Sequence, residues 1–388
     1  MRQHSAFLFY ANRWDEKAGA PQSGARRGRG HLGFSSQRRR KDLVIRDRFL
    51  PRAQPSTLFC YTSPMTQAIF VTRSIPGPAL ETLKAKGYDV TIRDSETAPT
   101  EDELVTLLSA KPYDVALTLL TDPITARVMD AAPSIKLYAN FAIGFDNIDI
   151  DAASQRGVAV SNTAGDYGYT VAEHTLALML SLTTRLVEAD ASVRRGEFTG
   201  WSPTHFVGTD LRGKVIGLIG MGRIGERVAH HLAKGFDSRV IYYDTKRNEQ
   251  AEKEHSAEYR EDIESVLRDA DIVSIHVPLL PTTRHLINKE RLATMKPSAF
   301  LINTSRGPVI DEVALVEALR SKTIAGAGLD VFEFEPKLSA GLADLPNVVL
   351  TPHIASARTS ARDAMSRIVA ENIIDFFEGK APRNIVNK

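Results

Sequence analysis

The sequence predicts an α/β protein built from two doubly wound parallel-sheet domains, and three observations carry that prediction. From residue 68 onward, short β-rich runs alternate with helical ones, the pattern of a parallel sheet with helices on both faces. The apolar run 215–219 leads straight into Gly220-x-Gly222-x-x-Gly225. A helical stretch at 171–187, apolar on nearly every side, separates the two sets of strands and suits burial between layers or subunits.

Residues 68–72 read as the first strand. Pro76-Gly-Pro78 opens a short helix ending at Gly87, and 88–92 form the next strand. Thr100-x-x-Glu103 is a capping box for a helix carrying Leu104, Val105, Leu107 and Leu108. After a strand at 115–120, Asp122-Pro123 offers an N-cap and a first-turn proline for a third helix. Strands at 136–141 and 158–160 complete this unit, which ends near residue 165. In the second unit the glycine motif is followed by a helical pattern (Val228, Ala229, Leu232, Ala233) and a strand at 239–243 that ends at Asp244. Later strands lie at 272–277, 299–303, 324–329 and 348–350. An amphipathic helix at 359–377, with Met365, Ile368, Val369, Ile373 and Phe376 at helical spacing, ends at Gly379. It follows a second unit that is already complete, so it is free to return to the first. The assignment is therefore 66–165 with 354–388 for one domain and 166–353 for the other.

The composition is that of a globular protein, 43% hydrophobic and 25% charged, and no apolar run is long enough to span a membrane. Cys60 is the one cysteine, which excludes an intramolecular disulfide. With no Cys/His cluster at metal-ligand spacing, no metal is expected, and the compartment is read as reducing and cytoplasmic. The net charge of +2 hides an asymmetry: residues 1–64 hold 13 Lys/Arg against 4 Asp/Glu, and the remainder holds 36 against 43. An acidic body argues against nucleic acid as a partner. In residues 1–64, Arg26-Arg27-Gly-Arg29 and Arg38-Arg39-Arg40-Lys41 interrupt a Gly/Ser/Pro/Gln-rich stretch without lasting period, so disorder is the default expectation. Three readings compete: a mistranslated upstream extension with Met65 as the start, an Arg-rich transit peptide, and a basic arm for acidic partners. Asp15, Glu16, Asp42 and Asp47 count against the transit peptide, and the α/β pattern that begins just after Met65 favours the first reading.

Each glycine of the motif has a distinct task. Gly220 makes the tight turn, Gly222 lets the backbone approach a pyrophosphate, and Gly225 lets helix and strand pack closely. The positive end of the following helix then faces the phosphates. Asp244 stands 19 residues past Gly225, where a carboxylate can accept hydrogen bonds from an adenine-ribose diol. Strand, helix, second strand and acid in that order imply a bound dinucleotide. Asp244 would repel a 2′-phosphate, which favours NAD(H) over NADP(H), although Lys246 and Arg247 follow it.

Three polar residues follow later strands of this unit: Arg306 in Asn303-Thr-Ser-Arg-Gly307, Glu335 in Asp330-Val-Phe-Glu-Phe-Glu-Pro336, and His353 in Thr351-Pro-His-Ile-Ala355. Taken singly each could be an ordinary surface or turn residue. Ligands of open parallel sheets bind outside the carboxyl ends of the strands, so together they point to one crevice. Arg306 offers a planar donor fork for a carboxylate, His353 a proton near neutral pH, and Glu335 a partner for the second ring nitrogen. With a nicotinamide hydride donor, the set would reduce a 2-oxo acid to a 2-hydroxy acid. His174, His205, His276 and His285 are read as structural or exposed.

At these residues the chain resembles the D-isomer-specific 2-hydroxyacid dehydrogenases. The likeness runs from about residue 68 to 385 and rests on Gly220-Met-Gly-Arg-Ile-Gly225, Asn303-Thr-Ser-Arg-Gly307, Gly328-Leu-Asp-Val-Phe-Glu-Phe-Glu-Pro336 and Thr351-Pro-His-Ile-Ala-Ser356, in the family's order. Within the family, Ala139-Asn-Phe-Ala-Ile-Gly-Phe-Asp-Asn-Ile-Asp149 and Asn384-Ile-Val-Asn387 look most like glyoxylate/hydroxypyruvate reductases. The resemblance implies a Rossmann NAD-binding domain and a flavodoxin-like substrate domain. It gives Arg306 substrate binding and polarisation, His353 the acid/base role, and Glu335 the role of its partner. The amides of Ile143 and Gly144 would hold the substrate carboxylate, within a pocket shaped near Leu119, Leu120 and Phe145. Met221, Arg223, Ile224, Thr304, Ser305 and Ala355 would join the motif glycines and Asp244 in lining the cofactor, and Asp330 would meet the nicotinamide amide. The helix from Val171 would build a homodimer. Departures are Ala164 where the family often has Pro, Ala355 where Gly is common, and the segment Gly165-Asp-Tyr-Gly-Tyr169, which puts substrate choice in question. A D-lactate- or 3-phosphoglycerate-type dehydrogenase, and an NADH-sensing corepressor-like scaffold, stand as alternatives.

Overall fold

A computed structural model describes residues 67–387. The readings of residues 1–64 fall outside the described residues. Five strands, β1 (Ala68–Val71), β2 (Asp89–Ile92), β3 (Val115–Leu119), β4 (Leu137–Phe141) and β5 (Ala159–Ser161), form one sheet in the order β2-β1-β3-β4-β5. Seven more, β6 (Val215–Ile219), β7 (Arg239–Tyr243), β8 (Glu258–Tyr259), β9 (Ile272–Ile275), β10 (Phe300–Asn303), β11 (Gly326–Leu329) and β12 (Val348–Leu350), form a second in the order β12-β11-β10-β9-β6-β7-β8. Every pairing within the two sheets is parallel. The strand order reverses between β1 and β3 in the first sheet and between β6 and β9 in the second, and such switch points open a crevice for a ligand. The architecture is thus two doubly wound domains, the first flavodoxin-like and the second a Rossmann fold.

Each sheet is apolar on both faces because helices cover both. Ile219, Val273, Ile275, Leu301 and Leu329 pack into one layer of the second sheet. Ile216, Leu218, Val240 and Ile302 pack into the other, where Leu176, Met179 and Leu182 of the bridging helix Gly168–Thr183 meet them. The C-terminal helix Thr359–Phe377 packs on the first sheet, where Met365, Val369, Ile373 and Phe376 bury against Ile69, Val71 and Leu137. The tail beyond it closes the β5 edge: Asn387 Oδ1 accepts the Val160 amide at 2.8 Å, and the Asn384 carbonyl accepts the Asn162 amide at 3.0 Å.

Two elements depart from the sequence reading. The expected helix start at Asp122-Pro123 is displaced, since Thr125 caps a helix spanning Ala126–Ala131. Asp122 is fully buried instead, and its carboxylate takes the Leu119 amide at 2.7 Å, the Arg73 guanidinium at 3.0 Å and the Thr72 hydroxyl. Three donors, two of them brought in from the end of β1, outcompete a cap. The single helix expected at 171–187 starts earlier, at Gly168, and ends at Thr183, with a second helix at Leu186–Arg194. The break has a definite cause: the Thr183 carbonyl is taken at 2.8 Å by the Thr209 amide of the returning chain, and Arg185 turns left-handed at φ 55°.

Candidate active site

β6 runs into Gly220, whose φ of +99° suits glycine; a Cβ there would also lie 2.8 Å from the His276 carbonyl group. A Cβ on Gly225 would fall 2.2 Å from the Gly220 carbonyl oxygen, so helix and strand approach there as only glycine permits. Gly222 differs: nothing lies within 4 Å of where its Cβ would be. That bare backbone, at the start of the helix Arg223–Gly235, is a cradle fit for a pyrophosphate. Asp244, at the end of β7, accepts the Met221 amide at 2.7 Å through one carboxylate oxygen and the Lys246 amide at 3.1 Å through the other. Arg247 is drawn away by Glu252, with two contacts of 2.7 Å that hold the Glu252 carboxyl at about 2. Lys246 is exposed.

Asn303 closes β10 fully buried and shapes the next turn. Its Oδ1 accepts the Ser305 amide and hydroxyl at 3.0 and 2.9 Å, and its Nδ2 donates to the Arg306 carbonyl at 2.9 Å. The Arg306 side chain then reaches from the second sheet to the loop after β4 in the first. Its Nε donates to Asp146 Oδ1 at 2.9 Å and its Nη1 to the Ser305 carbonyl at 2.8 Å. A Cβ on Gly144 would lie 1.7 Å from Arg306 Nη2, so the guanidinium occupies the space that a side chain would need. The Ile143 and Gly144 carbonyls are engaged by Asn162 Nδ2 at 2.7 Å and Asn140 Nδ2 at 3.0 Å. The amides are what remains for an anion.

His353 follows β12 with φ 54°, and its Nδ1 meets Glu335 Oε2 at 3.0 Å. Glu335 is itself held, since its Oε1 accepts the Phe332 amide at 3.0 Å. Asp330, fully buried at the end of β11, ties down the turn: it accepts the Ile354 and Ala355 amides at 2.8 Å each and the Thr351 hydroxyl at 2.6 Å. Burial alone would raise its carboxyl, yet hydrogen bonds from His174, Thr351 and those two amides hold it below the ordinary value. His174 is buried in the bridging helix, with Nε2 3.0 Å from Thr351 Oγ1.

A cleft of about 490 Å³ brings most of these residues together, a size suited to a ligand pocket. Ile143 and Gly144 line it from the first sheet. Gly222, Arg223 and Ile224 line it from the glycine loop, Thr304, Ser305 and Arg306 from β10, and His353 and Ala355 from the turn after β12. Gly220, Met221, Gly225, Asp244, Asp330 and Glu335 are not on its wall; Asp330 and Glu335 hold Ala355 and His353, which are. Leu120 and Phe145 line the cleft and Leu119 does not.

Among the lining residues that carried no functional signal in the sequence are Asp146, Tyr167, His276 and Arg362. Tyr167 lies in the segment that departs from the family pattern. It is buried, with its hydroxyl on the Thr163 carbonyl, and burial raises its phenol above the usual value. Burial pushes the His276 imidazole down to about 3, and the Ser274 hydroxyl sits 2.9 Å from its Nε2. Arg362 comes from the C-terminal helix, and burial lowers its guanidinium. Each owes its place to chain segments remote in sequence, which periodicity does not report.

Comparison with known proteins identifies the family. The family model described as "D-isomer specific 2-hydroxyacid dehydrogenase, NAD binding domain" matches residues 176–355. The glyoxylate reductase of Thermococcus litoralis is 44% identical over 328 residues, spanning 84% of this chain and 98% of that protein. That of Aeropyrum pernix is 46% identical over 325 residues, spanning 82% and 96%. Among solved structures, an NADPH-dependent glyoxylate/hydroxypyruvate reductase from Sinorhizobium meliloti, in complex with citrate, superposes with a TM-score of 0.71 at 30% identity, covering 82% of this chain and 97% of that one.

Proposed function

The chain belongs to the D-isomer specific 2-hydroxyacid dehydrogenases, and from that premise we propose that it reduces glyoxylate to glycolate, or hydroxypyruvate to D-glycerate, with NADH. It is an oxidoreductase of small 2-oxo acids that uses a nicotinamide cofactor. In this reading residues 66–165 with 354–388 form the substrate domain and 166–353 the NAD-binding domain. One observation carries the reading: Arg306 and His353, from the ends of different strands, share a cleft with the open glycine cradle at Gly222.

The nicotinamide, when bound, supplies the hydride. Gly220, Met221, Gly222, Arg223, Ile224 and Gly225 form its phosphate cradle, Asp244 takes the adenine ribose, and Thr304, Ser305 and Ala355 flank the rest. The amides of Ile143 and Gly144 and the Arg306 fork hold the substrate carboxylate. Arg306 also draws charge from the carbonyl that is reduced. His353 delivers a proton to the carbonyl oxygen. Glu335 fixes the ring tautomer and stabilises the imidazolium from which that proton leaves. Asp330, its oxygens already engaged by Thr351, Ile354 and Ala355, serves by holding the His353 turn in place.

The test is NADH oxidation with glyoxylate, hydroxypyruvate, pyruvate and phosphohydroxypyruvate. The highest kcat/KM is expected with one of the first two. A clear maximum with pyruvate or phosphohydroxypyruvate would move the chain to the D-lactate or 3-phosphoglycerate type. Chiral analysis of the glycerate formed decides the configuration.

A further inference from the structure

The helix Arg223–Gly235 and the helix Glu249–His255 lie side by side on the outer layer of the second sheet. Between them Glu226, Glu254 and His255 each bring one ligand atom within 4.8 Å of the others. His255 is only 7% exposed, and its buried Nδ1 has no hydrogen-bond partner. A buried polar atom left unpaired is costly, so it marks a place where a partner belongs. Arg306, Glu335 and His353 make no use of it.

We propose that Glu226, Glu254 and His255 form a binding site for a divalent 3d cation of the zinc type. Two carboxylates offset a double positive charge, and an imidazole beside them suits zinc, cobalt or nickel better than the all-oxygen ions calcium and magnesium. His230, one turn beyond Glu226, sets its ring 5.2 Å from that of His255, edge-on, as a second imidazole against the site. Glu254 is exposed, which gives the ion a path from solvent. The spacing between Glu226 and Glu254 in the sequence fits no ligand motif; the packing of two helices makes the cluster.

The full chain, stripped with a chelator and dialysed, is titrated with cobalt and with zinc by calorimetry, and cobalt coordination is read from its visible absorption. One equivalent is expected in this site. Glu226→Gln and Glu254→Gln, both partly or fully exposed positions that should leave the melting temperature unchanged, are each expected to weaken it at least about ten-fold, the loss that even an outer-shell change produces. His255→Ala should abolish it. If that buried substitution unfolds the chain, the two glutamine variants decide. Absence of binding at millimolar cobalt, or wild-type affinity in both glutamine variants, overturns the proposal.

Discussion

Arg306 is held at two nitrogens and offered at the third. Asp146 takes Nε at 2.9 Å, Ser305 takes Nη1 through its carbonyl, and Nη2 lies against Gly144, beside the amides read as the carboxylate site. A lysine there would supply charge without the planar fork, so Arg306→Lys is expected to lower kcat/KM by about 100-fold or more in steady-state assays with glyoxylate. Wild-type efficiency in that variant would remove Arg306 from the mechanism. Asp146→Asn keeps an acceptor for Nε and should stay within a few-fold of wild type. Asp146→Ala frees the guanidinium and should cost roughly ten- to a hundred-fold, the penalty of a misplaced group. Arg306 was legible because a basic residue just past a buried strand has a positional meaning. Asp146 was silent: its partner lies 160 residues away, and an acid in a loop carries no period. Asp244 makes a further case. At ~4 Å and an effective dielectric of about 20, its repulsion of a 2′-phosphate is worth about 4 kcal/mol before solvent screening. With Arg247 tied to Glu252, exposed Lys246 alone could offset it, so kcat/KM should favour NADH over NADPH by more than about ten-fold even after that screening. Equal values for the two cofactors would reject the assignment.

The loop between β11 and β12 presents Glu335, and a second pair of acids holds that loop. Glu312, only 3% exposed, accepts the Glu333 and Ser339 amides at 2.6 Å each, while Glu333 accepts the Glu312 amide at 3.1 Å and meets His285 at 2.6 Å. Both Glu312 oxygens face donors. Glu312→Gln would set an NH2 against an N–H, leave buried groups unpaired and cost about 1–3 kcal/mol. Thermal denaturation should show that loss, and kcat should fall with it because Glu335 no longer meets His353 squarely. An unchanged melting temperature would mean the clamp adds nothing. Among elements, the buried strands were the most readable, since apolar runs of four or five residues covered on both faces leave little choice. Helix ends were less so. Asp122 followed by proline is a sound cap in isolation, but the fold spends that carboxylate on Thr72, Arg73 and Leu119. The break after Thr183 depends on the Thr209 amide, which arrives from a separate segment.

At the scale of the molecule, strand alternation implied two sheets, and the late C-terminal helix implied a return to the first; the order of strands needed the structure. Acid should loosen the whole. His276 is neutral in the fold, with its imidazole at about 3, whereas an unfolded chain takes up a proton as pH falls through 6.5. The unfolded state then binds more protons, so stability drops between pH 6.5 and 3, by on the order of 1 kcal/mol per pH unit given its partly exposed place on the cleft wall. Asp330 adds to the loss at lower pH: its depressed carboxyl contributes fully above the ordinary value of 3.8 and ceases to as pH falls through its folded value. Melting temperature measured against pH should slope downward below 6.5, and His276→Asn should flatten that slope; an identical slope would assign the loss elsewhere. The outer surface makes a separate demand. Leu186, Val187, Val193, Phe198, Trp201 and Val207 are all well exposed, Trp201 at 86%, and all fall within one continuous arm after the bridging helix. Isolated apolar residues on a surface need no explanation, but six in one segment do. Each large side chain removed from water contributes about 1.5–3 kcal/mol, so a self-association that buries this arm is favoured, and two-fold pairing would bury both copies at once. Sedimentation is expected to show a homodimer at micromolar concentration, and Phe198→Glu with Val193→Glu should shift it toward monomer while leaving the far-ultraviolet circular dichroism intact. A wild-type chain that sediments as a monomer would leave the arm without its partner and end that reading.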